Sequence, residues 1–185
     1  MGEQHKKHNR REHLNDFHLN IAGEYVYDGA LYACQNDDAK QRRSKRAVWG
    51  MAAILTVAVA AGGCIPAPGM QNCFYVLLPY LGEFLGAASV IWALVKLGTD
   101  WSAVREYNYQ KSVAVLPVRT TVTAVFSLLG IVCELIFFFV NDHAGQTFFA
   151  LLYVLLKLIA LLSVLVLRAE IMQAEWDKLP KKDNF

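Results

Sequence analysis

The sequence predicts an all-α membrane protein, a four-transmembrane-helix bundle with a short cytoplasmic β-hairpin near its N-terminus. Three observations support this fold class. Of the 185 residues, 55% are hydrophobic, the apolar residues gather in four blocks, and the basic residues gather in alternate connections. Each block has about 20 residues, which at about 1.5 Å per residue spans the roughly 30 Å hydrocarbon core of a bilayer. The four predicted spans are residues 47–65, 74–97, 120–140 and 147–167.

The distribution of Lys and Arg predicts the orientation of these spans. Nine of the 18 basic residues precede residue 47 and four follow residue 167, whereas the connections 66–73 and 141–146 contain none. Because positively charged loops stay on the cytoplasmic side, both termini are expected in the cytoplasm. An even number of spans agrees with this. The predicted location is the plasma (inner) membrane, with residues 47–170 as the transmembrane domain.

Residues 1–46 form a polar, basic region in which residues 24–33 have the pattern of a hairpin. Strand-forming residues flank Asp28-Gly29, a pair that readily adopts the positive φ values of a type I′ turn. An isolated hairpin is marginally stable in water, so this one is expected to pack against the membrane surface, the inner loop or a protein partner. Its aromatic face would consist of Tyr25, Tyr27 and Tyr32.

A basic segment directly precedes the first span and consists of Arg42, Arg43, Lys45 and Arg46. It anchors the topology, and we expect it to attract anionic lipid headgroups at about 1 kcal/mol per basic residue. The partners we expect are the bilayer and a protein, either a different chain or a second copy of this one. No nucleic-acid partner is predicted.

Cys64 and Cys73 flank the outer connection between the first and second spans. A disulfide between them would close a short loop and stabilise the fold by up to about 3 kcal/mol in the chain-entropy model. It requires an oxidising exterior, which the sequence does not establish. Free thiols are the alternative.

The second span contains three residues that govern helix packing. Pro79 lacks a backbone N–H and is expected to kink the helix. Gly82 and Gly86 are four residues apart and form a small-xxx-small face, on which a neighbouring helix can approach closely.

Two further segments lie on the predicted cytoplasmic side. Residues 101–116 mix aromatic and charged side chains, which predicts an amphipathic helix at the membrane surface that ends near Pro117. The fourth helix is expected to continue to Trp176, into a cytoplasmic tail formed by residues 171–185.

Glu83, Glu134 and Lys157 are the ionisable residues deep inside the predicted spans. Counted from the outer ends at about 1.5 Å per residue, all three lie within roughly 6 Å of one another in depth. They therefore predict a buried Glu–Lys–Glu cluster between the second, third and fourth spans. Such a cluster either fixes the orientation of the helices or, because one carboxyl would keep a raised pKa, relays protons or ions.

Catalytic motifs are absent from the sequence: it contains no HExxH, GxSxG or nucleotide-binding glycine pattern. No enzyme activity, cofactor or metal site is predicted. The sequence favours a non-enzymatic accessory or scaffold subunit of a membrane complex, which binds its partner through the tyrosine hairpin and the interfacial segment. The alternative is a small ion- or proton-coupled secondary transporter with Glu83, Glu134 and Lys157 in its pathway.

Overall fold

The computed structural model of the chain describes residues 17–19, 23, 25–27, 29–141 and 147–180. This part is mostly helical, and it confirms the prediction of four helices long and apolar enough to span a membrane. The long helices are α1 (Asp38–Cys64), α3 (Phe74–Leu97), α5 (Leu116–Val140) and α6 (Thr147–Met172). The short helices are α2 (Pro68–Asn72) and α4 (Glu106–Lys111). The strands are β1 (Phe17–Leu19), β2 (Tyr25–Tyr27), β3 (Leu31–Cys34), β4 (Val104–Arg105) and β5 (Trp176–Lys178).

Three of the long helices extend beyond the apolar segments that predict them. α1 begins at Asp38, so its first turns include the basic segment, whose Lys, Arg and Gln residues are good helix formers. α5 begins at Leu116 with Pro117 in its first turn, where the missing N–H of proline leaves no helical hydrogen bond unmade. α6 continues past residue 167 to Met172.

The four long helices pack in the order α1, α6, α5, α3. α5 packs on both α3 and α6, and α6 packs in turn on α1. α1 and α3 are consecutive long helices, yet they contact each other far less. A groove therefore opens between α1 and α3 on the outside of the bundle.

Glycines on α3 allow the close approach of α5. A Cβ on Gly82 would lie 2.5 Å from the Phe126 ring, and one on Gly86 would lie 3.3 Å from the Thr123 Cα. The small-xxx-small pair thus faces α5. Pro79 lies inside α3, and the helix continues through it.

Cys64 ends α1 and Cys73 precedes α3, with α2 between them. Both are free thiols in this structure. The connection is held by packing instead, because Ala67, Pro68 and Gly69 are buried against the ends of the long helices.

The predicted hairpin over residues 24–33 is wrong, because its two strands belong to different sheets. β2 pairs with β1, whereas β3 is the central strand of a three-stranded antiparallel sheet between β4 and β5. Gly29 does not adopt the positive φ that the turn requires, and Asp28 lies outside the described residues. The burial of Ala33 and Cys34 on β3 outweighs the local turn preference.

The segments that pair with β3 also differ from their predictions. Residues 101–116 do not form one amphipathic helix, since Val104–Arg105 is a strand, Glu106–Lys111 is a short helix, and Leu116 already begins α5. α6 ends at Met172, before the predicted end at Trp176, and Trp176–Lys178 forms strand β5. Hydrogen bonds between distant backbone segments, such as Cys34 N–H to the Trp101 carbonyl (2.9 Å), fix these positions.

The three-stranded sheet and α4 form a cap over one end of the bundle, where α1 and α5 begin and α3 and α6 end. Trp101 is at its centre with 1% of its surface exposed. Its ring lies 5.6 Å from that of Trp176, which lies 5.8 Å from that of Tyr109. Tyr109 in turn stacks on Tyr32 at 4.2 Å. This aromatic cluster joins three segments that are far apart in the sequence.

Candidate functional site

The candidate site begins with Glu83 on the buried face of α3. Val76, Glu83, Ala87 and Val90 recur at intervals of three, four or seven residues, so they share one side of the helix and all are buried. Glu83 has no exposed surface. A carboxylate at such a position needs a cation or hydrogen-bond donors, since burial of an isolated charge is costly.

Lys157 on α6 supplies the cation. Tyr153, Lys157, Ala160 and Val164 share the buried face of α6 by the same spacing, and Lys157 is 2% exposed. Its Nζ donates to Glu83 Oε2 and forms an ion pair with it. The pair therefore links α3 to α6, two helices that both pack on α5.

α5 contributes a hydrogen-bond donor to Glu83 and room for the Lys157 side chain. Ser127, which is fully buried, donates from Oγ to Glu83 Oε1 at 2.5 Å. One turn further, a Cβ on Gly130 would lie 3.6 Å from Lys157 Cε, so this glycine lets the lysine stem pass along α5. Both carboxylate oxygens of Glu83 are thus occupied by donors.

Two tyrosine rings complete the surroundings of the ammonium group. Lys157 Nζ lies 4.6 Å from the ring centroid of Tyr80 and 5.1 Å from that of Tyr153, within the range of cation–π attraction. The Tyr80 hydroxyl donates to the Val59 carbonyl of α1 at 3.4 Å. The ion pair and the residues around it therefore involve α3, α5 and α6 directly and α1 through Tyr80.

Glu134, the third residue of the predicted cluster, lies further along α5. It is fully buried, but it lies two helical turns beyond Ser127, about 10 Å further along α5. There it borders α2, where a Cβ on Gly69 would overlap the Glu134 carboxylate. The structure thus pairs Glu83 with Lys157 directly, while Glu134 contacts α2.

Tyr153 is a site residue that sequence reasoning missed. It is fully buried, interacts electrostatically with both Glu83 and Glu134, and its hydroxyl makes no hydrogen bond within the described part of the chain. Its position four residues before Lys157, on the same helix face, could have identified it. Ser127 and Gly130 could not be found this way, since only the packing of α5 on α3 and α6 reveals them.

The arrangement is suited to holding helices together. Glu83, Lys157 and Ser127 are buried. Among the described residues, no group of three or more His, Cys, Asp or Glu side chains could hold a metal ion. The ion pair between opposite charges fixes which face of α6 meets α3.

The tyrosines predicted to bind a partner do not form one face. Tyr25 is 75% exposed. Tyr27 lies under the Arg105 guanidinium, 5.3 Å from ring to charge, and donates to the Ala30 carbonyl. Tyr32 stacks on Tyr109 inside the cap. Of the three, only Tyr25 offers most of its surface to another molecule.

The basic segment is divided between two environments. Lys45 lies over the Trp101 ring of the cap at 5.6 Å. Arg42, Arg43 and Arg46 are exposed and line a shallow depression together with Asp37 and Asp38.

No protein-family model, curated protein or solved structure matches this chain.

Proposed function

We propose that the chain is a four-span protein of the plasma (inner) membrane and a non-enzymatic accessory or scaffold subunit of a membrane complex. The observation on which this proposal depends is the buried Glu83–Lys157 pair, which joins α3 to α6, is bonded by Ser127 of α5 and is linked to α1 through Tyr80. An interaction of this kind specifies one arrangement of the helices. A defined arrangement is what a scaffold contributes to its partners.

The surface of the bundle supports membrane insertion. Large apolar side chains project outward from every long helix, among them Val57 (67% exposed), Leu85 (68%), Leu128 (53%) and Leu162 (61%). Soluble proteins rarely expose apolar patches of this extent. Lipid chains are the natural neighbours of such a surface.

The charge pattern supports placing the cap and both termini in the cytoplasm. The cap lies at the end where the basic segment begins α1 and where Arg105, Lys111 and Lys178 are found. The connection at the other end, residues 66–73, has no Lys or Arg. This asymmetry agrees with the positive-inside rule.

The cap is the surface we assign to a protein partner. Tyr107 on α4 is an exposed aromatic residue of the cap, and Tyr25, on β2 of the two-stranded sheet that precedes the cap in the chain, is exposed as well. Exposed tyrosines of this kind are typical of interface anchors. The edge strands β4 and β5 have only two and three residues, which makes strand addition a poor mode of binding.

Site-specific photocrosslinking in native membranes tests the scaffold proposal. A photoreactive amino acid at Tyr25 or Tyr107 should give one discrete protein adduct, and the same group at Val125, on the lipid-facing side of α5, should give none. Equal adduct patterns at all three positions would contradict a partner surface on the cap.

A proton-coupled transporter is the second candidate, favoured by the buried and unbonded hydroxyl of Tyr153. A pathway would need water to reach Lys157 and Glu83 in another conformation. Proton flux into proteoliposomes that contain a pH-sensitive dye tests this. If the chain transports protons, the native chain should give a proton flux that Glu83→Gln abolishes. The scaffold proposal predicts that the native chain and Glu83→Gln both give only the proton flux measured with vesicles that contain no protein.

A further inference from the structure

The groove between α1 and α3 is apolar and has a volume of about 330 Å³. Ala60 of α1 and Ala88 of α3 are among the small residues that line it, and Trp92 and Val95 extend it toward the cap. Its one polar side chain is Thr56, whose hydroxyl donates to the Ala52 carbonyl of its own helix at 2.8 Å. The groove therefore presents hydrocarbon to its occupant.

Two arginines lie on the same face of α1 as this groove. Arg42, Arg46, Ala53, Thr56 and Ala60 follow one another at intervals of three, four or seven residues, so they share one side of the helix. All five are exposed. A continuous exposed strip thus joins the guanidinium groups at the cap end to the groove within the bundle.

The distance along α1 from Arg46 to the first groove residue, Thr56, matches one leaflet of a bilayer. Arg46 precedes Thr56 by ten residues, which is about 15 Å along the helix axis. One leaflet is half of the roughly 30 Å hydrocarbon core. When the arginines are at the headgroup level, the groove is therefore at the depth of acyl chains.

On the α3 side of the groove, residues typical of the membrane interface also lie at the cap end. Lys96 Nζ lies 5.5 Å from the Trp92 ring and 5.9 Å from the Tyr107 ring. Trp, Tyr and Lys are typical of the membrane–water boundary. Asp37 and Asp38 also line the depression around the arginines, but they precede Arg42 by four or more residues and lie further toward the aqueous side.

We propose that this strip binds one anionic phospholipid of the leaflet on the cap side. Arg42 and Arg46 hold its phosphate, and one acyl chain occupies the groove between α1 and α3. The charge of the arginines selects an anionic headgroup, and the apolar groove beneath them selects a chain over a free phosphate. This site rests on the membrane insertion proposed above.

Native mass spectrometry of the full chain in detergent tests the proposal by titration with phosphatidylglycerol and, separately, with phosphatidylcholine. The expected result is one phosphatidylglycerol per chain, and much weaker binding of phosphatidylcholine. The double variant Arg42→Gln/Arg46→Gln should bind phosphatidylglycerol about thirty-fold more weakly, since each basic residue contributes roughly five-fold. Its matched control is Lys111→Gln/Lys178→Gln, which removes two exposed charges from the same end and should leave binding within about two-fold.

Filling the groove tests the position of the acyl chain. Ala88→Phe and Ala60→Phe change exposed residues, so the bundle should fold, and each should abolish the bound lipid. Val125→Phe adds the same ring to the lipid-facing side of α5, and this variant should still bind the lipid.

Several outcomes would overturn the site. They are equal binding of both lipids, unchanged binding in the arginine variant, and displacement of the lipid by glycerol phosphate alone. A dimer that dissociates in Ala88→Phe would also overturn it, because a second copy would then fill the groove. None of these results bears on the insertion of the helices, which cysteine labelling of the two ends measures separately.

Discussion

Lys157 on α6 forms an ion pair with Glu83 on α3, and both side chains are removed from solvent. Ser127 of α5 donates to the second carboxylate oxygen, and Tyr80 extends the contact to α1. A buried pair of this kind adds little net stability compared with apolar residues of the same volume, but the loss of one partner leaves a bare charge. The pair therefore specifies the arrangement of the helices more than it strengthens the bundle.

Removing one member of the pair should cost more than removing both. Lys157→Met or Glu83→Met alone should lower the free energy of unfolding by about 3–5 kcal/mol. Glu83→Met/Lys157→Met should restore most of it, because Ser127 can then donate to a carbonyl of its own helix. Titration with SDS in mixed micelles, followed by helical circular dichroism, measures these energies. Leu155→Met on the exposed side of α6 is the control, and equal losses in single and double variants would contradict the prediction.

Two buried serines should differ in their contribution to stability. Ser127→Ala removes a hydrogen bond to a charged carboxylate and should cost about 1.5–3 kcal/mol. Ser163→Ala removes only a bond to the Ile159 carbonyl of its own helix and should change stability by less than about 0.5 kcal/mol. The same unfolding titration distinguishes them. An equally small effect at both positions would mean that the Ser127–Glu83 bond does not stabilise the site.

Two glycines in long helices should respond to alanine in opposite directions. A Cβ on Gly86 meets Thr123, 3.2 Å from its Cβ and 3.3 Å from its Cα, so Gly86→Ala should destabilise the bundle by about 1–3 kcal/mol. A Cβ on Gly50 meets nothing within 4 Å, so Gly50→Ala should stabilise α1 by up to about 1 kcal/mol. If both variants were stabilised, α3 and α5 would not be in close contact at Gly86.

The cap should open when β5 is removed. Cys34 is buried opposite Trp176 in the sheet. A chain that ends at residue 174 lacks Trp176 and should therefore expose the Cys34 thiol. In a background with the other cysteines changed to Ser, maleimide should then label Cys34 at least about tenfold faster, as expected when a buried group becomes accessible. A chain that ends at residue 180 keeps β5 and is the control. Slow labelling of both chains would contradict the sheet pairing.

The four long helices could be predicted from the sequence because length and apolarity decide them locally. Glu83 and Lys157 could also be selected, since ionisable residues inside apolar segments are conspicuous. Which carboxylate pairs with the lysine could not be predicted. Depth alone does not distinguish Glu83 from Glu134, and the pairing depends on how α5 rotates to present Ser127 and Gly130.

The cap could not be predicted because its strands are short and their partners are distant. β4 has two residues and β5 has three, too few for a periodic pattern to be recognised. The Asp28-Gly29 pair predicted a local hairpin, but β3 joins Val104 and Trp176 instead. Tertiary burial of aromatic side chains outweighed the turn preference.

The central claim is that four helices cross a membrane and place the cap on the cytoplasmic side. Labelling of single cysteines in intact cells by a membrane-impermeant maleimide tests it most directly, with the four native cysteines changed to Ser. Gln71→Cys, in α2, should be labelled in intact cells, and Ala103→Cys, at an exposed position of the cap, should be labelled only after permeabilisation. Labelling of Ala103→Cys in intact cells, or protection of Gln71→Cys, would contradict this topology.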